Sequence, residues 1–313
     1  MISAAHSGVA STPVNPDGPS AMRSVSVIVA PSAAAMAGSF SHASGNFADS
    51  HPTGFRLRIE NVAHRSTIHE TLTAVFQVRR FPDTIRAGES PSVGGLAVSD
   101  RCPPGQRTEL AVLLWERALD PAKGTWSLPG GRLRDDEDLD TSAARQLAEK
   151  VDVRELTHLE QVWVFSDPSR VPGDRRIASA YLGLVPLTAE PVLPHDTKWH
   201  PVSDLPDMSF DHGTVVRHAR NRLAAKLSYT NIAFGLAPAT FTMSTLREIY
   251  CAALGYDVDT TNLQRVLTRR KVITPTGETA SPGRAGGRPA AVYRFTDSEI
   301  RVTDEFATFR PPS

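Results

Sequence analysis

The stretch from Gly131 to Val153, GRLRDDEDLDTSAARQLAEKVDV, constrains the fold of this chain more than any other segment. A Pro-Gly-Gly turn precedes it, and the spacing of its side chains predicts a helix from about Asp140 to Val151. One stripe of that helix is expected to carry the small and apolar residues Ala144, Leu147, Ala148 and Val151. The opposite face then presents the polar residues Ser142, Arg145, Gln146, Glu149 and Lys150.

The charges on the polar face decide what chemistry it supports. Hydrolysis of a nucleoside diphosphate derivative needs a divalent metal, and Mg²⁺ prefers several carboxylate oxygens. This face gathers one carboxylate, Glu149, beside the neutral amide of Gln146 and the ammonium group of Lys150. Lys150 repels a cation but is suited to pair with a phosphate oxygen. The pattern favours a site that binds a phosphate group without metal-dependent chemistry, and ordinary ion pairing on a solvated helix face is the alternative.

The spacing of the segment resembles the Nudix signature, in which a Gly, a Glu and an Arg-Glu pair precede a Glu-Glu pair and a second Gly. The residues in register are Gly131, Glu137, Arg145, Leu147, Glu149 and Val153. The chain departs from the signature at Gln146 and Lys150, where the family has Glu, and at Asp152, where it has Gly. We therefore expect no catalytic residue and no metal ligand. The expected ligand-binding residues are Gly130, Gly131, Arg145, Gln146, Glu149 and Lys150.

Length and composition restrict the number of domains and the class of protein. A chain of 313 residues is long enough for two domains. Its 34 basic and 34 acidic residues exclude a globally polycationic nucleic-acid binder. Two distant cysteines fit a reducing compartment, and no apolar run approaches the roughly 20 residues of a membrane span, so a cytoplasmic protein without a membrane partner is expected. Residues 1–60 predict a disordered extension, in which Met22 and Met36 are alternative starts.

Apolar runs around the signature predict strands and one more helix. Strands are expected from Leu72 and from Leu110, separated by a long loop at residues 81–108, and a hairpin is expected from Leu159–Phe165 and Ile177–Leu187. A helix from about Asp211 to Leu227 is expected to bury Val215, Val216, Ala219, Leu223 and Leu227. This order predicts a mixed α/β (α+β) sandwich over residues 65–230.

Beyond Ala237 the pattern changes to helix, turn, helix and wing. Thr242 or Ser244 is expected to cap a helix that ends at Gly255 and whose inner stripe is Leu246, Ile249, Tyr250, Ala253 and Leu254. A second helix begins near Thr260, buries Leu263, Val266 and Leu267, and presents Thr261, Arg265, Thr268 and Arg269. Two strands joined by the tip SPGRAGGRPA then predict a wing, so residues 238–300 are expected to form a winged helix-turn-helix domain.

Local charge favours DNA binding by this second domain. Between Asn262 and Arg294, seven cations stand against the single acid Glu278, a net charge of plus six. Such a patch attracts phosphates, while the exposed helix face is able to reach base edges. Dimerisation, with arginines that merely solvate the surface, is the alternative. The expected DNA-binding residues are Thr261, Arg265, Arg269, Arg270, Lys271, Arg284 and Arg288.

The two halves together resemble the Nudix-related transcriptional regulators of bacterial NAD metabolism. The resemblance covers about residues 65–300 and includes an FTM-x-x-LREIY start and a GRPA-x-x-YRF end of the second half. It implies a Nudix-like sandwich followed by a winged helix-turn-helix, with ADP-ribose or a related NAD-derived metabolite as effector and no cofactor. A homodimer of such a protein would repress genes of NAD synthesis or salvage on a near-palindromic double-stranded operator. The alternative is an active Nudix hydrolase of ADP-ribose that takes its metal ligands from Glu137, Asp135 or Asp136.

Overall fold

The computed structural model of the protein describes residues 66–82, 106–154, 156–280 and 289–304. These residues all belong to one compact unit, Asn61–Ser313. The predictions for residues 1–60, for most of the loop at 81–108 and for Arg284 and Arg288 lie outside the described residues. Among the residues that the structure describes, no helix combines the length and the apolar character that a bilayer crossing requires.

A mixed sheet forms the first layer of the fold. Its strands are β1 (Ile68–Pro82), β2 (Gln106–Glu116), β3 (Trp126–Ser127), β4 (Gly130–Arg132), β5 (His158–Phe165), β6 (Arg176–Leu184) and β7 (Thr197–Pro201). Their order is β3-β2-β1-β6-β5, while β4 pairs with β1 and β7 pairs with β2. The pair β1–β6 is parallel, and β5 and β6 form the predicted antiparallel hairpin.

Two helices cover opposite faces of this sheet. Helix α1 (Leu139–Val151) packs Leu147 and Val151 against Val75 and Leu113. Helix α2 (His212–Tyr229) buries all five predicted residues against the other face, where Leu72 and Phe76 lie. Because helices shield both faces, β1 is buried along most of its length, and its buried residues include polar as well as apolar side chains.

The structure corrects the predicted orientation of α1. Ala144, expected on the inner stripe, is exposed, while Ser142 and Gln146, expected on the outer face, are buried. The helix is rotated so that its polar side lies against β1 and β4, where Ser142 Oγ is 3.3 Å from Thr71 Oγ1. The interior contacts of α1 are therefore partly polar: the prediction is confirmed for Leu147 and Val151 and wrong for Ala144, Ser142 and Gln146.

The end of α1 explains one departure from the Nudix signature. Asp152 caps the helix in the left-handed conformation, with φ of 52°, and its backbone N–H points to the Leu147 carbonyl. Glycine adopts this conformation without steric cost, which accounts for the Gly in the signature, and Asp is among the few other residues that tolerate it. The substitution at Asp152 thus leaves the backbone path unchanged.

The second part of the chain has the predicted winged-helix plan. It contains β8 (Phe241–Thr242), α3 (Met243–Leu254), α4 (Thr260–Arg269), β9 (Ile273–Ala280) and β10 (Ala290–Phe295), and its sheet order is β8-β10-β9. Thr242 caps α3 by accepting a hydrogen bond from the Thr245 N–H, and Gly255 ends it with φ of 80°. These features confirm the predicted fold class, a Nudix-like sandwich followed by a winged helix-turn-helix.

The winged helix shares its core with the first sheet. Helix α3 packs on α2 and on the strands β1 and β2. Leu246 and Ile249 of α3 belong to the same cluster of buried side chains as Val215 of α2 and Phe76 of β1. The two parts are therefore joined by continuous apolar packing as well as by the chain.

Candidate ligand cleft and nucleic-acid interface

The Gly130-Gly131 turn brings the backbone of β4 into close contact with β1 and α1. A Cβ atom on Gly130 would lie 2.2 Å from the Thr71 carbonyl oxygen, and one on Gly131 would lie 2.6 Å from the Gln146 side-chain nitrogen. The backbone contact leaves no room for a side chain at position 130, whereas a side chain at position 131 would require Gln146 to move. The close approach places the carbonyl of Gly130 at the polar face of α1.

Arg145 is held by two carboxylates. Its Nε and Nη2 donate to the two oxygens of Glu137, at 2.7 and 2.6 Å, and its Nη1 donates to Glu149 at 2.9 Å. The hydrogen bonds from Arg145, together with one from the Arg134 N–H, lower the pKa of Glu137 to about 2. Arg145 therefore connects Glu137, in the loop that precedes α1, to Glu149 on the helix itself.

Gln146 and Lys150 both contact the Gly130 carbonyl. The Gln146 amide fits best with its nitrogen 3.2 Å from Gly130 O and its oxygen accepting from Arg145. Lys150 Nζ donates to the same carbonyl at 2.5 Å and lies 4.8 Å from the centre of the Trp115 ring. Burial lowers the pKa of Lys150, and the nearby charge of Arg117 acts in the same direction. An ammonium group thus sits at the floor of the site, packed against an aromatic face.

These residues surround an open cleft of about 600 Å³. Of the predicted ligand-binding residues, Gly131, Arg145, Gln146 and Lys150 line the cleft, whereas Gly130 faces it through its carbonyl and Glu149 braces Arg145. The sequence analysis did not single out Arg132 and Arg134, two exposed cations that also line it. The signal for them was the GRLR run itself, which places two cations directly after the glycine turn.

A buried ion network connects the cleft strand to the start of α2. Arg170 donates to Glu70 at 2.6 Å and to both oxygens of Asp211 at 2.8 and 2.9 Å. Only 1% of the Arg170 side chain is exposed. Glu70 is the partner of Arg132 in the β1–β4 ladder, and Asp211 is the N-cap residue of α2. The network therefore ties the edge of the cleft to the N-terminus of α2.

His212, the first residue of α2, lies next to the same charges. Its Nδ1 accepts a hydrogen bond from the Leu128 N–H at 3.1 Å. Burial, reinforced by the positive charges of Arg170, Arg117 and Lys150, lowers the pKa of His212 to about 3. The imidazole is consequently neutral at physiological pH and serves as a fixed acceptor that joins α2 to the strand segment before the glycine turn.

The outer face of α4 is the candidate nucleic-acid interface. Asp259 caps the helix by accepting from the Asn262 N–H, and Leu263 and Leu267 anchor it in the core. Gln264 donates to the Tyr293 hydroxyl at 2.8 Å and so connects α4 to β10. The residues left exposed on the helix and immediately after it are Thr261, Asn262, Arg265, Thr268, Arg269 and Lys271. Their arrangement agrees with the predicted outward face, and their part in DNA binding stays a prediction.

Arg270 is oriented differently from the exposed residues of the predicted DNA-binding set. Its Nη1 donates to the Ser228 carbonyl at 2.8 Å, and its Nη2 is paired with Asp304. Only 17% of its side chain is exposed. The guanidinium group of Arg270, the residue that caps the C-terminus of α4, therefore faces the junction between α2 and the C-terminal segment.

Comparison with known proteins supports both halves of the fold. A family model for the NUDIX domain matches residues 92–219, and a model for the NrtR DNA-binding winged helix domain matches residues 233–295. A curated relative, the "ADPR responsive transcriptional repressor NtrR" of Acinetobacter baylyi, is 31% identical over 194 residues, which cover 60% of this chain and 76% of the relative.

Solved structures show the same architecture. NrtR of Shewanella oneidensis in complex with a 27mer DNA is 24% identical, with a TM-score of 0.55 over 72% of this chain and 93% of that chain. A MutT/nudix family protein from Enterococcus faecalis is 19% identical, with a TM-score of 0.55 over 75% of this chain and 90% of that chain. At these identities the likeness concerns the fold.

Fold and site together define a transcription regulator that joins a Nudix domain to a winged-helix DNA-binding domain. The Nudix domain precedes the winged-helix domain in the same chain, and buried side chains of both domains pack in one continuous core. The chain belongs to the NrtR family.

Proposed function

We propose that this protein is a DNA-binding repressor of genes for NAD synthesis or salvage, and that it senses ADP-ribose or a related NAD-derived metabolite through its Nudix domain. The observation that carries the proposal is the presence, in one packed unit, of a cationic cleft and a winged helix whose outer face bears Arg265 and Arg269. The Acinetobacter relative is named an ADPR responsive repressor, which supports the same effector here. We further propose that the protein acts as a cytoplasmic homodimer on a near-palindromic operator.

The charges of the cleft suit a diphosphate. Arg132 and Arg134 stand exposed at the rim, while Lys150 lies at the floor beside Trp115. Guanidinium and ammonium groups form strong, charge-assisted hydrogen bonds to phosphate oxygens. Arg132 has an exposed side chain and Arg134 is paired with Glu149 at 3.4 Å, whereas Arg145 is held by shorter contacts with Glu137 and Glu149. In this proposal Arg145 shapes the cleft and the other three cations contact the diphosphate.

The donor set does not fit Mg²⁺. Where the Nudix signature has two further Glu residues, this chain has an amide, Gln146, and an ammonium group, Lys150, and both already contact the Gly130 carbonyl. The carboxylates of Glu137 and Glu149 are paired with Arg145. Among the residues that line the cleft, the single carboxylate of Asp135 stands beside the ammonium group of Lys150, whereas Mg²⁺ prefers several carboxylate oxygens. The site is therefore proposed to bind its effector without metal and without hydrolysis.

Hydrolysis of ADP-ribose by the purified protein with Mg²⁺ is expected to be very slow or absent. The reason is the loss of two carboxylates at positions 146 and 150, and the measurement is product formation followed by chromatography. The double variant Gln146→Glu with Lys150→Glu is expected to recover weak activity at most. A turnover number of roughly 1 per second or more for the unmodified protein would instead support the hydrolase alternative.

The variant Lys150→Glu is expected to bind ADP-ribose more weakly in metal-free buffer. A repelling carboxylate then replaces the ammonium group near the diphosphate, at a cost of about 1–3 kcal/mol if the contact is direct. Calorimetry measures the loss, Lys150→Met separates loss of attraction from added repulsion, and Lys123→Glu reverses an exposed charge away from the cleft. Equal affinity for Lys150→Glu and the unmodified protein would remove Lys150 from the binding site.

The proposed function is tested by operator binding. Duplexes selected by the protein from a random library supply the operator, and gel-shift titrations are repeated with ADP-ribose and with NAD. We expect nanomolar-range binding to a near-palindromic site, on the order of 10⁻⁸ M or tighter, and a change in affinity with ADP-ribose. Absence of any selected sequence would overturn the repressor proposal. Selection without an effect of either nucleotide would overturn the proposed effector alone.

A further inference from the structure

Arg270 stands apart from the other cations of the winged helix because its guanidinium group bridges three parts of the chain. It lies at the end of α4, donates to the carbonyl of Ser228 in the last turn of α2, and pairs with Asp304 in the C-terminal segment. Both side chains of the ion pair are 17% exposed. Arg265 and Arg269, by contrast, are exposed on the outer face of the same helix.

The C-terminal segment that supplies Asp304 is itself fastened to the junction between the two domains. The Asn231 side chain donates to the Glu299 carbonyl at 2.8 Å and accepts from the Arg301 N–H at 2.6 Å. The Thr303 N–H donates to the Tyr229 carbonyl at 2.7 Å. Asp304 is therefore held in a fixed place, and its pairing with Arg270 fixes the end of α4 against the end of α2.

Helix α2 is thus held at both ends by arginines from other elements. At its N-terminus, Asp211 is bound by Arg170, which also binds Glu70 beside the cleft strand β4. At its C-terminus, the Ser228 carbonyl is bound by Arg270. Helix α2 is therefore linked to the edge of the cleft at one end and to the end of α4 at the other.

We propose that Arg270, Asp304 and the Ser228 carbonyl form a clamp that sets the orientation of α4 relative to α2, and thereby the affinity for operator DNA and its response to the cleft ligand. The inference rests on the proposed function and deepens it. In this arrangement Arg270 is a positioning residue, and it acts on DNA only through the placement of Arg265 and Arg269.

Replacing Asp304, the acidic residue of the clamp, tests the proposal, because the clamp predicts a change in DNA affinity opposite to the change expected from charge alone. Removing a negative charge near a DNA-binding surface ordinarily tightens DNA binding, because repulsion of phosphates decreases. Loss of the clamp has the opposite effect, because α4 is no longer held in the orientation that fits the operator. Asp304→Asn is therefore expected to weaken operator binding, by roughly 2- to 30-fold for a residue that acts through coupling. Glu278→Gln, which removes an exposed acid of the wing, is the matched control and is expected to tighten binding or leave it unchanged.

The experiment measures the affinity of full-length Asp304→Asn, Arg270→Ala and Glu278→Gln for the selected operator and for unrelated duplex DNA, over a range of salt concentrations. The clamp predicts weaker operator binding by the first two variants, a smaller effect of ADP-ribose, and an unchanged salt slope on unrelated DNA. A direct phosphate contact by Arg270 would instead reduce that slope by about 0.9 and weaken both kinds of DNA alike. That result, or operator binding by Asp304→Asn as tight as that of the unmodified protein, would overturn the clamp.

A stability measurement separates failure of the clamp from failure of the proposed function. If the unmodified protein selects no DNA sequence, the repressor proposal fails, but the clamp is still tested by denaturant unfolding of Arg270→Ala, Asp304→Asn and the double variant. Interacting side chains give non-additive losses, so the double variant should be hardly less stable than the worse single one. Additive losses would overturn the clamp, and circular dichroism establishes that each variant folds.

Discussion

Arg170→Ala is expected to lower the free energy of unfolding by about 3–5 kcal/mol, because it removes the buried guanidinium group that binds Asp211 and the buried Glu70. The Arg170 side chain is 1% exposed, and it binds Glu70 and Asp211 through three hydrogen bonds. Arg176 lies 3.3 Å from Glu70 and compensates only one of the two acids. Chemical denaturation followed by circular dichroism measures the loss.

Two further variants test whether the expected loss of stability comes from the buried ion network or from surface charge in general. Arg154→Ala breaks an ion pair with Asp152 whose side chains are both largely exposed, and it is expected to cost no more than about 1 kcal/mol. Replacing Glu70, Arg170 and Asp211 together by apolar residues of similar size is expected to cost less than Arg170→Ala, because no unpaired charge remains. A loss below about 1 kcal/mol for Arg170→Ala would show that the network contributes little to stability.

Arg265→Ala and Arg269→Ala are each expected to weaken operator binding by roughly 1–3 kcal/mol. The two side chains lie one turn apart on the exposed face of α4, and Arg265 is oriented by the Asn262 side chain at 2.7 Å. A side chain in the major groove that contacts a base edge loses both attraction and discrimination when it is truncated. Gel-shift titration with the selected operator and with single-base variants measures both effects.

An exposed arginine outside the winged helix provides the control for α4. Arg217→Ala removes a cation from the outer face of α2 and is expected to leave discrimination between operators unchanged. Adding Arg284→Ala and Arg288→Ala to the α4 pair is expected to weaken specific and non-specific DNA binding alike and to flatten the salt dependence. A folded, dimeric quadruple variant that binds operator as tightly as the unmodified protein would contradict the role of the basic patch.

The elements with strong local signals were predictable from the sequence. Thr242 and Gly255 mark the ends of α3 by capping chemistry that depends only on neighbouring residues, and the structure has both caps. The five apolar residues of α2 recur at helical spacing and are all buried. The Nudix spacing likewise predicted which residues gather at the cleft, since Arg145, Gln146 and Lys150 line it together.

The features that sequence reasoning missed depend on contacts between distant residues. Ala144 and Ala148 are too small to define the buried face of α1, and the rotation of the helix is decided by its packing on β1 and β4. Arg170 is 100 residues from Glu70, and Arg270 is 34 residues from Asp304. A count of local charge treats Arg270 like Arg269, although folding turns one inward and leaves the other exposed.

The continuous core between α3, α2 and the first sheet also limits which positions of such a protein accept substitutions. The exposed rim of the cleft, where Arg132 and Arg134 lie, tolerates substitution with little effect on packing, so effector preference is free to drift there. Helices α2 and α3 must instead change in concert, because a larger side chain on one requires a smaller one on the other. A chimera that joins this winged helix to an unrelated sensor would therefore expose Leu246 and Ile249 to water unless its new partner supplied a matching apolar face.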